Sequence, residues 1–325
     1  MMKAVICPQY GNADVLEIKE LPIPVVKPND ILVRNHAASM TRADAMMRQG
    51  TPKFARLFLG FKGPKNPVIG TGFAGVVEAV GSEVDDFNIG DEVYGETSIN
   101  FSANAEYVCV HAANDIVLPL PKGIALEEAA PICDGALTSY NFLVNVGELK
   151  SGQHVLINGA SGSLGTSAVQ IAKSLGATVT GVCSEKNHNL VKLLGADYLI
   201  DYKETDFTKE STKYDLVYDT IGESSFAKCK NVLKEEGRFI TPVLSLSILK
   251  DMLKTSLWGN QKVKFEATGL QEAKKLKKYL NEINELIESH KLKTIIDKTY
   301  SIEDVVEAHH YIDSGRKKGN IIMTF

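Results

Sequence analysis

The residues with the clearest chemical purpose are three glycines in the segment INGASGSLGTSAVQIAKSLGA, 157–177. An apolar run, HVLIN at 154–158, stops at Asn158, a turn follows, and a helical pattern begins near Ser163. Gly159, Gly162 and Gly165 are three apart; against the usual G-x-G-x-x-G, Ala160 takes the first glycine position and Gly162 and Gly165 keep the other two. A Cβ at Gly162 would obstruct the approach of a pyrophosphate, and one at Gly165 would hold the helix off the sheet. Exposed amides and the positive end of the helix dipole suit bridging phosphates. The segment is therefore expected to bind a dinucleotide.

Which dinucleotide depends on the end of the next strand, where a carboxylate usually holds an unphosphorylated ribose. The chain reads GVCSEKN there, with Ser184 near the expected place and Lys186 two residues on. A hydroxyl and an ammonium suit a 2′-phosphate, so NADPH is expected over NADH. Glu185 is the complication: it either points away or binds a ribose.

These groups need a scaffold, and the chain changes texture in a way that supplies one. Up to about residue 123, short strands (4–6, 30–39, 72–81, 105–110) are broken by glycine and proline, as in an irregular β-rich domain. From about 124 to 265, strands at 154–158, 178–183, 198–202, 214–220 and 238–243 alternate with helices near 163–175, 187–194 and up to 234. That alternation reads as a parallel sheet covered on both faces. A periodic helix follows, with Ala273, Leu276, Leu280, Ile283 and Ile287 on one face, and a β-like NIIMTF closes the chain.

Composition narrows the function classes. Lys and Arg number 36 and Asp and Glu 40 in 325 residues, a formal charge of −4, too balanced for a nucleic-acid or membrane-surface protein. The pairs Lys274-Lys275 and Lys277-Lys278 read as a solvated helix face. Five cysteines at 7, 109, 133, 183 and 229 never reach C-x-x-C spacing, which fits a reduced cytoplasmic protein. The expectation is a soluble chain with neither export signal nor membrane span. No G-x-S-x-G elbow supports a hydrolase.

With the glycine turn, GTGFAGVVEAVG (70–81), NIGDEVYG (88–95) and AEYV (105–108), essentially the whole chain resembles the medium-chain dehydrogenase/reductase superfamily. Within it, the chain is similar to the zinc-free quinone oxidoreductase branch. The resemblance implies an α/β protein: a GroES-like β-rich catalytic domain from 1–123 and 266–325, and a Rossmann doubly wound parallel-sheet domain from 124–265. It also implies a cleft between the domains for nicotinamide and substrate, and it suggests a homodimer. By position, Ser184, Lys186 and Tyr202 match residues that hold the NADPH adenosine phosphate, and Thr138 matches a threonine against the nicotinamide. Ser161, Gly162, Ser163 and Leu164 match the pyrophosphate turn.

Zinc members of the superfamily carry a Cys before an Asp, a Gly-His-Glu and a third ligand. Here Thr41, Thr71 and Gly72 stand at the first Cys, the His and the Glu, while Cys133 and Asp134 lie near the third position. A catalytic zinc needs three ligands, and one candidate cannot hold it, so no metal is expected. Without a Lewis acid to stabilise an alkoxide, the implied reaction is hydride transfer to a quinone or related conjugated carbonyl, whose anion is delocalised. The branch commonly has Asn at the place of Thr41 and Tyr at the place of Met46, which leaves Thr41 as a candidate donor and Tyr94 as a weaker one. Leu57, Phe58, Phe61 and Trp258, with Met46, are candidates for lining or covering a hydrophobic acceptor site. Two alternatives remain: an enoyl or 2-alkenal reductase acting on a C=C bond, and a non-catalytic NADPH-binding sensor or RNA-associated protein.

Overall fold

The structure, a computed structural model, describes residues 1–51, 53, 56–97 and 100–325, with the backbone alone at 58 and 59. Its contacts form two compact units. One comprises Met1–Asp134, Gly269–Asn284 and Thr294–Phe325, the other Gly135–Thr268 and Glu285–Lys293. The chain passes from one to the other at Asp134 and Gly135, later than the texture change near 123. The passage falls within a largely helical stretch from Leu126 to Val146 that includes π-type turns at Ile132–Leu137 and Asn141–Val146. Nothing in the hydrophobic pattern marks a boundary inside a helix.

The first unit is a seven-stranded sheet with a separate hairpin of Met2–Ile6 on Glu17–Leu21. Its hub is the strand Asp30–Met40, which pairs antiparallel with Gly72–Val80, Tyr107–His111 and Asn320–Thr324. Register shifts at Leu32/Val33 and Asn35/Ala37 bend it, as bulges do. The closing NIIMTF is a strand because Ile321, Ile322 and Met323 are wholly buried, with Ile321 opposite Met40. Glu92–Glu96 lies between Gly72–Val80 and Ile116–Pro119. Ile31, Val33, Phe73 and Val77 belong to one of the unit's cores.

The second unit is a six-stranded parallel sheet. In chain order its strands are His154–Asn158, Thr178–Cys183, Tyr198–Asp201, Tyr214–Asp219, Leu233–Ile240 and Lys262–Lys264. Their spatial order is third, second, first, fourth, fifth, sixth, the doubly wound dinucleotide-binding arrangement. His154–Asn158 is central because Val155 through Ile157 have no exposed surface, as a strand covered on both faces requires. Three expectations need correction. The helix expected to run to 234 is only Phe226–Cys229, the fifth strand starts at Leu233, and a sixth strand, KVK, forms where none was read. The periodic helix forms at Ala273–Glu288, with Leu276, Leu280, Ile283 and Ile287 buried.

Candidate functional site

The glycine turn sits at the carboxyl end of the central strand, where doubly wound sheets place ligands. Gly159 has φ +82°, the left-handed region, and a Cβ there would lie 2.5 Å from Thr220 Oγ1 and 2.6 Å from Ile221. At Gly165 a Cβ would overlap the Gly159 carbonyl oxygen and come within 2.6 Å of Ala160 Cα, so this glycine lets the helix Ser163–Ser174 close onto the turn. Gly162 differs. Its φ of −82° suits any residue, and an added Cβ would meet only Gly159 O at an ordinary 3.5 Å. No described residue demands glycine there, and the open side of Gly162 lies at a helix N-terminus. That is a cradle a Cβ would fill, and it fits a pyrophosphate.

The amides around it divide their work. Gly159 and Ala160 N–H both donate to Val182 O (3.0 Å each), tying the turn to the second strand. Gly162 N–H donates to Gly159 O (3.0 Å). The first helical turn, Ser163 to Gly165, carries amides that have no partner within the helix. Ser161 is buried, and its hydroxyl accepts from the Asn187 side-chain amide (2.9 Å). That bond joins the turn to the segment after the second strand. Asn187 escaped the sequence reading, since a lone Asn after a strand carries no spacing signal.

The second strand ends at Cys183, and buried Ser184 begins a tight turn over Glu185–Asn187. Glu185 and Lys186 are exposed, as is Tyr202, just beyond the third strand. Between them sits Asp201, another residue the sequence reading passed over. Its carboxylate accepts from the amides of Lys203 (2.9 Å) and Glu185 (3.0 Å), and these bonds hold it below the usual carboxylate range. Ser184, Lys186 and Tyr202 thus follow the adjacent ends of two parallel strands, which the Glu185–Asp201 bond ties together.

Thr138 is half-buried at the start of the turn Thr138–Tyr140. Its neighbour Ser139 donates to the Leu164 carbonyl (2.8 Å), which brings Thr138 and the glycine turn together. Wholly buried Asp219, at the end of the fourth strand, accepts from Asn158 Nδ2 (3.0 Å) and from the amides of Ile221, Gly222 and Ser224. It sets the loop that walls Gly159.

In the first unit, the two expected donors each make a hydrogen bond within the protein. Thr41 is 3% exposed and caps the helix Arg42–Gln49. Its hydroxyl donates to Asp44 Oδ2 (2.9 Å) while accepting from the Asp44 amide, a reciprocal capping box, so its proton is committed. The signal was in the sequence: T-R-A-D at 41–44 has the S/T-x-x-D/E spacing. Tyr94 has no exposed surface and donates to Asn284 Oδ1 (2.7 Å). Thr71 is buried and its carbonyl accepts from the Thr97 amide (2.9 Å).

Around these positions lies an acidic cluster that the sequence did not announce. Burial chiefly raises Asp44, opposed by its bonds from Thr41 and reinforced by Asp134, to about 7. Burial, then the charges of Asp134 and Asp44, push Glu96 up to about 7. Burial, then Glu96 and Asp134, hold the Cys133 thiol well above its ordinary value. Among the described residues, no three His, Cys, Asp or Glu side chains are gathered as a metal ion requires.

Met46 is half-buried. The Phe58 side chain lies outside the described residues. Leu57 (73%), Phe61 (80%) and Trp258 (69%) are largely exposed. Trp258 ends the helix Leu246–Leu257, whose Leu246, Leu249, Leu253 and Leu257 also face outward at three- and four-residue steps.

Comparison with known proteins agrees with this architecture. The alcohol dehydrogenase GroES-like domain profile matches residues 27–122, and the zinc-binding dehydrogenase profile matches residues 194–323. The chain is 30% identical over 361 residues to the Mus musculus protein named NAD(P)H oxidoreductase RTN4IP1, mitochondrial, covering 99% of this chain and 89% of that one. It is 31% identical over 334 residues to the 2-methylene-furan-3-one reductase of Solanum lycopersicum, covering 99% and 79%. The solved quinone oxidoreductase from Coxiella burnetii superposes with a TM-score of 0.89 at 28% identity, over 100% of this chain and 99% of that one. A likeness that runs the length of the chain, over a doubly wound sheet with its glycine turn in place, settles the family: the chain belongs to the medium-chain dehydrogenase/reductase superfamily, in its quinone oxidoreductase-like branch.

Proposed function

We propose that the chain is an NADPH-dependent, zinc-independent reductase that transfers a hydride to quinones or related conjugated carbonyls. The observation that carries this reading is the open cradle at Gly162 on the first turn of Ser163–Ser174, a glycine that only a ligand needs. In this reading Ser161 to Gly165 hold the pyrophosphate, Thr138 lies against the nicotinamide, and Ser184, Lys186 and Tyr202 hold the adenosine phosphate. The unit containing Gly135–Thr268 is then the cofactor domain and the other unit the catalytic domain. When bound, the reduced nicotinamide supplies the hydride.

Zinc independence is supported by Thr41, Thr71 and Gly72 at the positions of metal ligands, with the Thr41 hydroxyl already given to Asp44. Hydride addition to a conjugated acceptor leaves a delocalised anion, so orientation and a proton source suffice. A cytoplasmic location is supported by five free cysteines, while the mouse relative's name places that protein in mitochondria. No helix among the described residues is long and apolar enough to cross a membrane. The resemblance supports a homodimer, and the balanced charge argues against nucleic acid as a partner.

The name of the tomato relative favours a second reading, reduction of a C=C bond. One experiment addresses both: NADPH oxidation over a panel of quinones, enals and enones, with NADH as control. A hydroquinone product supports the first reading and a saturated ketone the second. NADPH that binds yet is never oxidised by any acceptor means a binding protein and removes both.

A further inference from the structure

NADPH has a pyrophosphate and a ribose 2′-phosphate to place, and the groups assigned to them lie on two separate turns of one compact unit, Gly135–Thr268. We propose that Asn187 is the positioning residue that clasps these turns together and thereby sets the preference for NADPH over NADH. The proposal rests on the NADPH reading above and deepens it.

The geometry begins at two neighbouring strand ends. Asn158 pairs with Val182 in the parallel ladder, so the glycine turn and the segment after Cys183 leave the sheet side by side. Backbone amides hold the glycine turn as far as Val182, whose carbonyl accepts from Gly159 and Ala160. Beyond that point Asn187 continues the connection. Its backbone amide donates to Ser184 O (2.8 Å), which closes the turn that carries Lys186. Its side-chain Nδ2 donates to Ser161 Oγ (2.9 Å), inside the glycine turn. One residue therefore closes one turn and grips the other. From the opposite side, Asp201 on the third strand accepts the Glu185 amide (3.0 Å). Lys186 is exposed between these two anchors.

Two features separate the clasp from ordinary packing. Asn187 is 6% exposed and its Oδ1 has no donor. Burying an amide oxygen unpaired costs stability that an apolar side chain would not cost, so the bond to Ser161 is what the amide contributes. Ser161 is also buried, and it receives that bond on an oxygen lone pair, which leaves its proton for another acceptor such as a phosphate oxygen.

Selectivity follows from the same bond. NADH ends in a ribose hydroxyl, engages the glycine turn and gains little from where Lys186 stands. NADPH must reach both turns at once, and an ammonium–phosphate pair is strongest where its spacing is fixed before binding. Loosening the clasp weakens NADPH more than NADH.

Isothermal titration of NADPH and NADH into the wild type, Asn187→Ala, Ser161→Ala and the double variant tests this. Asn187→Ala should bind NADPH about tenfold more weakly and NADH only about twofold more weakly. The double variant should keep the NADPH-to-NADH ratio of Asn187→Ala, because effects that run through one shared bond do not add. In the nucleotide-free protein, hydrogen exchange over 184–187 should be faster in Asn187→Ala; equal rates would contradict the clasp. An unchanged ratio in Asn187→Ala overturns the proposal and leaves the NADPH reading intact. So does equal weakening of both nucleotides, the mark of a residue that only supports the fold. Should Asn187→Ala not fold, Ser161→Ala breaks the same bond and must shrink the ratio by itself, and an unchanged ratio there overturns the proposal. A wild type that binds NADH as tightly as NADPH overturns the NADPH reading, and the role of Asn187 with it.

Discussion

The two units hold their chemistry in opposite ways. In the second, the groups assigned to the cofactor's pyrophosphate lie in one short stretch of chain, Ser161 to Gly165, set by a strand end and a helix start. In the first, Asp44, Glu96 and Asp134 come together from a helix, a strand and a turn. A phosphate turn is backbone chemistry, and backbone conformation is written locally. An acid held protonated is a property of surroundings, and its surroundings are far away in sequence. The difference teaches that motif reading finds sites built from amides sooner than clusters of perturbed carboxyls.

The largest test of the contrast uses two glycines of one turn. Gly165→Val forces a side chain against the Gly159 carbonyl and Ala160, and should cost about 3 kcal/mol of stability, the range of overpacked sites. Thermal unfolding should show it as a Tm loss of several degrees with or without nucleotide. An unchanged Tm would mean the helix does not depend on that close approach.

The next test concerns the first unit's cluster. Asp44 and Glu96 each have folded values near 7, above those of ordinary carboxyls. Such groups stabilise fully below the unfolded value and lose that contribution as pH rises through the folded one. Tm should therefore fall by a few degrees between about pH 5 and about pH 8, and Glu96→Gln should flatten part of the fall. A Tm that rises over that interval in both proteins would contradict the cluster. Smaller still is the adenosine end: Lys186→Glu should erase the NADPH preference, shifting the NADPH-to-NADH ratio by about tenfold, or 1.4 kcal/mol. An unchanged ratio removes Lys186 from the 2′-phosphate.

Much of the fold was legible. Apolar strands alternating with helices announced the parallel sheet, and the spacing of Leu276, Leu280 and Ile283 announced the buried face of their helix. Lys262–Lys264 was not, because three residues with two lysines carry no hydrophobic period, and it is a strand only because Arg238–Ile240 offers an edge. The partner of Tyr94 was not legible, since Asn284, which accepts from its phenol, lies 190 positions on. Glu96 was invisible for the same reason: nothing beside it in the chain makes it unusual.

The central claim is that Gly162 is glycine for the sake of a bound nucleotide. Isothermal titration of NADPH into the wild type and into Gly162→Val, alongside their Tm values without ligand, tests it most directly. The account expects tight association in the wild type, at least about a tenfold loss in the variant, and Tm values within about a degree. Equal affinities would contradict it, as would a variant that loses stability as Gly165→Val does.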